Sequence, residues 1–291
     1  MRLVILVLIL SLFARVVVIG KTNQLLVIDQ PPKLHPYPVA RQNFKYPPAI
    51  SARSAIVADL QTGLTLFEKD PDALHLPAST TKLMTALVAL ERCSPDEIGE
   101  VSAVNREGTQ MGLAQGDKVT VRTLLWGMLV ASGNDAAYAL ADFCSQSLTA
   151  FVVSMNQKAK ELGMRRTHYQ NPAGFDSRDQ YTTARDLTVL AKAAVANPLL
   201  SKIVATKNVT LADVSGVKVY YLENINELLG EVEGIEGVKT GQTEGALENL
   251  ITKTTRGGHT IIGVVLGSSD RFGESKTLIE WAFKNYQWVV P

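Results

Sequence analysis

The chain has 291 residues, 46% apolar and 20% charged, a balance that suits a globular protein with a sizeable core and excludes a disordered or fibrous polymer. Lysine and arginine number 29 against 28 acidic residues, a formal net charge of +1, so nothing favours a polyanionic partner such as nucleic acid. Recognition has to come from a local site.

Met1-Arg2 is a short positive stretch, and Leu3 to Ala14 is apolar or small apart from Ser11, the pattern of a secretory signal. Arg15 interrupts it, Val16-Val17-Val18-Ile19 resumes it, and no small-x-small cleavage site precedes Lys21. Residues 1–20 therefore read as a signal peptide or a retained N-terminal membrane anchor, and either places the body outside the cytoplasm, in the periplasm or cell envelope. Residues 21–50 hold six of the twelve prolines, at 31, 32, 36, 38, 47 and 48, and read as a Pro-rich linker, a semi-rigid spacer from a membrane.

The body spans 51–291. Ala55 to Asp59 and Leu64 to Phe67 are strand-like runs around Gln61-Thr62-Gly63, the signature of a hairpin. Pro77-Ala78-Ser79-Thr80-Thr81-Lys82 then opens a helix with Leu83, Leu87 and Leu90 at helical spacing. Ser79 and Lys82, three apart, share a helical face about 5–6 Å apart at Cβ, which makes them a candidate nucleophile and base. Further helical stretches run from Thr120 to Val130, Asp135 to Cys144, Thr149 to Leu162 and Thr183 to Ala196, with a loop at Asn171 to Asp176. The C-terminal third changes character, with strand-like runs at 207–211, 217–222, 235–240, 249–254 and 260–266 before a last helix, 274–286. Strands at both ends with helices between predict an α+β fold: one antiparallel sheet from the N- and C-terminal segments, flanked by helices, with an inserted all-helical subdomain over roughly 76–204.

Three short motifs carry chemistry, and each is weak alone. Ser-x-x-Lys recurs at Ser215-Gly216-Val217-Lys218, where strand-like sequence keeps the pair off a common face, and about one such match per chain arises from composition. Ser132-Gly133-Asn134 has a second copy at Ser154-Met155-Asn156, within a helix, where a solvated surface pair is the expected reading. Lys239-Thr240-Gly241 occurs once, at the end of a strand-like run. In this order and context the three match the penicillin-binding and β-lactamase pattern.

The resemblance extends beyond the three motifs. Pro77 to Thr85, Ser132 to Ala137, Asn171 to Asp176, Tyr181 to Leu187 and Gly237 to Gly241 resemble the low-molecular-mass D-alanyl-D-alanine carboxypeptidases, over about residues 51–288. That resemblance implies a β-lactamase/transpeptidase-like fold and a serine-type hydrolase that removes the terminal D-Ala from peptidoglycan stem peptides through a Ser79 acyl-enzyme. β-Lactams would then be covalent inhibitors. By the same resemblance Lys82 acts as base, Ser132 relays a proton to the leaving amine, and Asn134 holds Lys82 and the substrate amide. Lys239, Thr240 and Gly241 orient the substrate, the backbone N–H groups of Ser79 and Gln242 form the oxyanion hole, and Arg271 binds the terminal carboxylate. A second lysine at 239 would help keep Lys82 neutral. No cofactor or metal is expected, since His35, His75, His168 and His259 lack ligand spacing.

The chain departs from that pattern at Leu247 and Glu248, where relatives usually carry glycine and an aromatic, and this bears on substrate range. A class A β-lactamase would need a glutamate within Asn171 to Tyr181, which has none. A D,D-endopeptidase cutting crosslinks, and a non-catalytic module binding β-lactams or cell wall, stay open as alternatives. Cys93 and Cys144 read as two buried thiols, with a disulfide as the alternative. The chain ends at Val289-Val290-Pro291 without the extra β-rich domain and C-terminal anchor common in such enzymes, so any membrane attachment is expected at the N-terminus.

Overall fold

β-Branched runs at both ends of the body and alanine-rich helical runs between them set the architecture. In this computed structural model the described residues are 35–145 and 147–291, together with the backbone of β1 (Val16–Ile19) and β2 (Leu25–Ile28), which pair antiparallel. Most of the expected signal or anchor, and linker residues 21–24 and 29–34, lie outside the described residues.

In chain order, β3 (Tyr37–Ala40), β4 (Ser54–Asp59) and β5 (Thr65–Lys69) precede a 3-10 turn, Ala78–Thr81, and α1 (Lys82–Arg92). A short ribbon of β6 (Ile98–Glu100) and β7 (Lys118–Thr120) leads into α2 (Val121–Leu129), α3 (Asn134–Phe143) and α4 (Leu148–Glu161). Then come α5 (Ala184–Ala196), α6 (Pro198–Val204) and the hairpin of β8 (Asn208–Ala212) and β9 (Val219–Glu223). The chain closes with β10 (Ile235–Thr243), β11 (Leu247–Arg256), β12 (His259–Ser268), α7 (Arg271–Asn285) and β13 (Tyr286–Val289).

The central sheet is antiparallel, in the order β10-β11-β12-β4-β5, so N- and C-terminal segments meet where β12 pairs with β4. Side chains alternate across it. Ile56, Ile262, Val264 and Leu266 join the core of the helical subdomain, while Ala55, Val57, Ile261 and Val265 pack with Leu278, Ile279 and Trp281 of α7. Both faces are covered, which is why these strands read as near-continuous apolar runs. Of the five strand-like runs expected in the C-terminal third, three enter this sheet, and β8–β9 stands apart as its own ribbon.

Helix α6 follows Asn197-Pro198, a dipeptide that reads as a break. Here Asn197 Oδ1 accepts from Leu199 and Leu200 N–H at 3.0 and 3.2 Å, and Pro198 occupies the first helical position, where its missing N–H costs nothing. Ser154 and Asn156 are also less solvated than expected: Asn156 bonds Tyr169 N–H and carbonyl at 2.8 Å each, tying α4 to the loop beyond it. Among the described residues no single helix is long and apolar enough to cross a membrane.

Over 35–50 the chain is packed rather than tethered. β3 pairs with β13, Lys45 N–H donates to Asn285 Oδ1 at 2.6 Å, and Lys45 carbonyl accepts from Trp281 Nε1 at 2.9 Å. Phe44 meets Trp281 and Tyr286 edge-on at 5.6 and 5.8 Å. The prolines suppress helix, but they leave a strand edge and aromatic contacts available, and those win over a free spacer.

Cys93 and Cys144 form a disulfide, with Cα atoms 5.6 Å apart, in place of the two expected thiols. Each sits at the C-terminal end of its helix, α1 and α3, so the bridge staples the far ends of two helices whose N-terminal ends carry Lys82, just after the turn that holds Ser79, and Asn134. A crosslink spanning 51 residues removes about 4 kcal/mol of chain entropy from the unfolded state. Cys93→Ala with Cys144→Ala is expected to lose about 2–4 kcal/mol in urea melts, equal to the loss from adding a reductant to the parent protein.

Candidate active site

Ser79 lies in the 3-10 turn directly ahead of α1, and Lys82 is the first residue of that helix, so the three-residue spacing brings Ser79 Oγ and Lys82 Nζ to 2.7 Å. Helix α1 is buried on most of its surface, through Leu83, Met84, Ala86, Val88 and Ala89, and Lys82 is fully buried with them. Burial therefore holds the amine well below its ordinary value of 10.5; the nearby charge of Lys239 pushes the same way, and Asp135 opposes both.

Asn134 does not hold Lys82. Its Nδ2 donates to Glu107 carbonyl at 2.9 Å, while Lys82 Nζ donates to Ala173 carbonyl at 2.6 Å. Ala173 belongs to the loop Asn171–Asp176, organised by Asn171. That residue's Oδ1 accepts from the N–H groups of Ala173, Gly174 and Phe175 at 3.2, 2.7 and 3.0 Å, and its Nδ2 donates to Phe175 carbonyl at 2.9 Å. Thr85 Oγ1 donates to Pro172 carbonyl at 2.7 Å and anchors the loop on α1.

Gly174 crosses the nucleophile's backbone. Its φ is +94°, and a Cβ there would lie 1.9 Å from Ala78 carbonyl oxygen. Ala78 itself has φ +48° and Ser132 has φ +58°, left-handed conformations that L residues adopt at a cost of about 1–2 kcal/mol each. Gly174→Ala is therefore expected to displace the loop, costing about 2–3 kcal/mol or more of stability and lowering the rate of acylation at Ser79; thermal melts and timed β-lactam labelling check both.

The opposite wall is β10. Lys239 Nζ donates to Ser132 Oγ at 3.0 Å and to Thr240 carbonyl at 3.2 Å, and the side chain is 2% exposed. Burial, helped by the Arg271 charge, brings its amine down to about 7. A Cβ on Gly241 would approach Ser79 N to 3.1 Å, so the absence of a side chain lets the strand run against the nucleophile and sets Gln242 beside it. Arg271, at the start of α7, gives Nη1 to Gly241 carbonyl at 3.2 Å and to Gln242 Oε1 at 3.3 Å. The expected residues thus meet where β10 faces the helical subdomain: Lys239 to Gln242 share that strand, and the others come from the 3-10 turn, α1, the Ser132 turn, α3 and α7.

Several supports were not singled out from the sequence. Asp135 Oδ1 and Oδ2 accept from the N–H groups of Met111, Gly112, Leu113 and Ala136 at 2.9–3.0 Å, which fixes the glycine-containing loop over the Ser132 turn. Asn249, fully buried on β11, donates to Leu76 and Pro77 carbonyls at 3.0 and 3.2 Å and accepts from Gly267 N–H at 2.9 Å, holding the approach to Ser79 against the sheet. Gly174 carried a signal in its loop motif. Asp135 likewise lies in the Ser132 to Ala137 motif, but its partners at Met111, Gly112 and Leu113, and those of Asn249, are backbone groups distant in sequence that residue type does not reveal. The second Ser-x-x-Lys does not form a pair: Ser215 Oγ donates to Asp213, and Lys218 bonds Asp117 at 2.5 Å.

A family model described as D-alanyl-D-alanine carboxypeptidase matches residues 41–270. The chain belongs to the D-alanyl-D-alanine carboxypeptidase family. It is 34% identical over 249 residues to DacF of Bacillus subtilis, covering 82% of this chain and 64% of the relative. DacC of Escherichia coli is 35% identical over 262 residues, 84% of this chain and again 64% of the relative, so the chain spans less than two thirds of the length of both. A D-alanyl-D-alanine carboxypeptidase of Streptomyces sp. strain K15 is 37% identical over 240 residues, 76% of this chain and 82% of that one. Among solved structures, the Streptomyces K15 DD-transpeptidase superposes with a TM-score of 0.78 at 34% identity, covering 82% of this chain and all of that one. The family carries the α+β, transpeptidase-like fold expected from the order of strands and helices.

Proposed function

We propose that this chain is a serine-type D-alanyl-D-alanine carboxypeptidase that removes the terminal D-Ala from peptidoglycan stem peptides and is inhibited covalently by β-lactams. The observation that carries this reading is Ser79 Oγ at 2.7 Å from a fully buried Lys82 amine whose charged form is disfavoured by desolvation and by Lys239. A neutral Lys82 has the lone pair needed to take the serine proton, as a base of this kind must. The relatives' names favour a carboxypeptidase over the endopeptidase alternative.

Ser79 Oγ bonds to the carbonyl carbon between the two D-alanines while its proton passes to Lys82 Nζ. The resulting oxyanion faces the backbone N–H groups of Ser79 and Gln242. As the C–N bond breaks, the leaving amine of D-Ala receives from Lys82, through the Ser132 hydroxyl that Lys239 polarises, the proton that Ser79 gave up. Water then attacks the acyl ester, giving one proton to Lys82, and Ser79 leaves with that proton. Asn134 and Thr240 bind the peptide backbone, and Arg271 takes the terminal carboxylate. A β-lactam follows the first half of this course, but its amine stays tethered in the acyl group, so the ester persists.

The catalytic unit starts before the expected residue 51, since 35–50 pack on the body, and runs through 291. Its helical subdomain over roughly 76–204 also holds the β6–β7 ribbon, and the unit's place is outside the cytoplasm. The leader-like residues 1–20 and the disulfide, a bond that persists in oxidising compartments, support that location. The purified protein offered a monomeric pentapeptide ending in D-Ala-D-Ala and a crosslinked dimer is expected to release D-Ala from the first at least tenfold faster than it opens the second. Faster opening of the crosslink would make it an endopeptidase instead.

A further inference from the structure

Beyond Lys239-Thr240-Gly241 the rim of the cleft carries an anion that the chemistry above does not use. Glu248 stands opposite Gln242 across the β10–β11 ladder, half-buried, and its Oε2 accepts from the backbone N–H of Arg271 at 3.0 Å. The guanidinium of Arg271 bonds only neutral oxygens, at Gly241 and Gln242. Among the described residues no carboxylate pairs with it, and its buried Nε has no hydrogen-bond partner. A guanidinium so placed is arranged to receive an anion from outside the chain. Burial disfavours its charge, and Glu248, followed by Glu227, are the carboxylates whose fields sustain it. An incoming carboxylate meets the pull of Arg271 and the push of Glu248 together.

We propose that Glu248 is a specificity-determining residue of the leaving-group side: its carboxylate competes with the substrate's terminal carboxylate for Arg271. The cleft thereby discriminates less between peptides that end in a free acid and peptides whose end is amidated. This rests on the reading of Ser79 as nucleophile and of Arg271 as facing the leaving D-Ala. The carboxylate also caps the first turn of α7, a purely structural role that a neutral glutamine retains through its amide oxygen. Glu248→Gln therefore separates charge from capping.

The test compares the parent protein and Glu248→Gln on a diacetyl-L-Lys-D-Ala-D-Ala tripeptide and on the same peptide as its C-terminal carboxamide. The expected result is a fall in KM for the free acid of about fivefold in Glu248→Gln, with kcat and the KM for the amide moving by less than about twofold. Equal shifts for both peptides, or none, would overturn the proposal, as would a loss of kcat on both with a lowered melting temperature, which marks a cap and nothing more. If the parent protein releases neither D-Ala from the acid nor D-alaninamide from the amide, the carboxypeptidase reading falls and takes this proposal with it.

Discussion

Ser79→Ala is expected to remove covalent β-lactam labelling completely and to lower D-Ala release by about 10⁴-fold to 10⁶-fold, with the fold intact. The Ser79 side chain bonds only Lys82, which keeps its bond to Ala173 carbonyl when the hydroxyl is gone. The substitution therefore tests chemistry rather than structure. Lys82→Gln should approach the same loss, since a serine hydroxyl at neutral pH is a poor nucleophile without a base 2.7 Å away. The double variant should lose little more than either single one, because the two groups act in one step and their effects do not add. Intact-mass measurement after exposure to a penicillin, alongside a D-Ala assay, reads both quantities. Retained labelling in Ser79→Ala would move the nucleophile elsewhere; a double variant worse than Ser79→Ala by another 10³-fold would mean that Lys82 serves some step besides proton transfer.

Why the site was legible in outline, and where it was not, follows from how each residue is held. Ser79 and Lys82 sit on one element, so a spacing of three fixes their geometry before any tertiary contact forms. Lys239, Thr240 and Gly241 lie on one strand, and the need for a bare backbone at Gly241 is visible in its type. Asn134 misled, because a side-chain amide can satisfy itself on any carbonyl within reach, and the loop from Asn105 to Gly116 brings Glu107 carbonyl to it first. The partner of Lys82 is a backbone oxygen at Ala173, and backbone oxygens leave no trace in residue type. The disulfide was hidden for the same kind of reason: Cys93 and Cys144 are 51 residues apart and meet only because α1 and α3 pack side by side. In the fold, residues 35–50 looked like a spacer because proline content reports what a segment cannot form, and says nothing of an edge strand it can pair with.

The second large effect concerns stability, and it runs opposite to activity. Lys239 is 2% exposed, and its amine is held near 7 against 10.5 in an open chain. Between those two values the unfolded chain binds a proton that the folded one lacks, so stability rises with pH across the window. Below about 7 both states are charged and the full cost of burial is borne, on the order of 5 kcal/mol; as pH approaches 10.5 it fades to nothing. Lys239→Met, close in volume and free of charge, should therefore be more stable than the parent by about 2–4 kcal/mol at pH 6–7, after allowing for the lost bond to Ser132 Oγ. That advantage should shrink steadily toward pH 10, while D-Ala release falls by several orders of magnitude at every pH. Urea melts of both proteins at pH 6, 7, 8.5 and 9.5 give the comparison, and a difference that stays flat across the series would mean that Lys239 is not the group whose charge is being paid for. The expected pattern has a plain physical origin: two lysine amines and a guanidinium are gathered around one serine, and a fold built for stability alone would put methyl groups there.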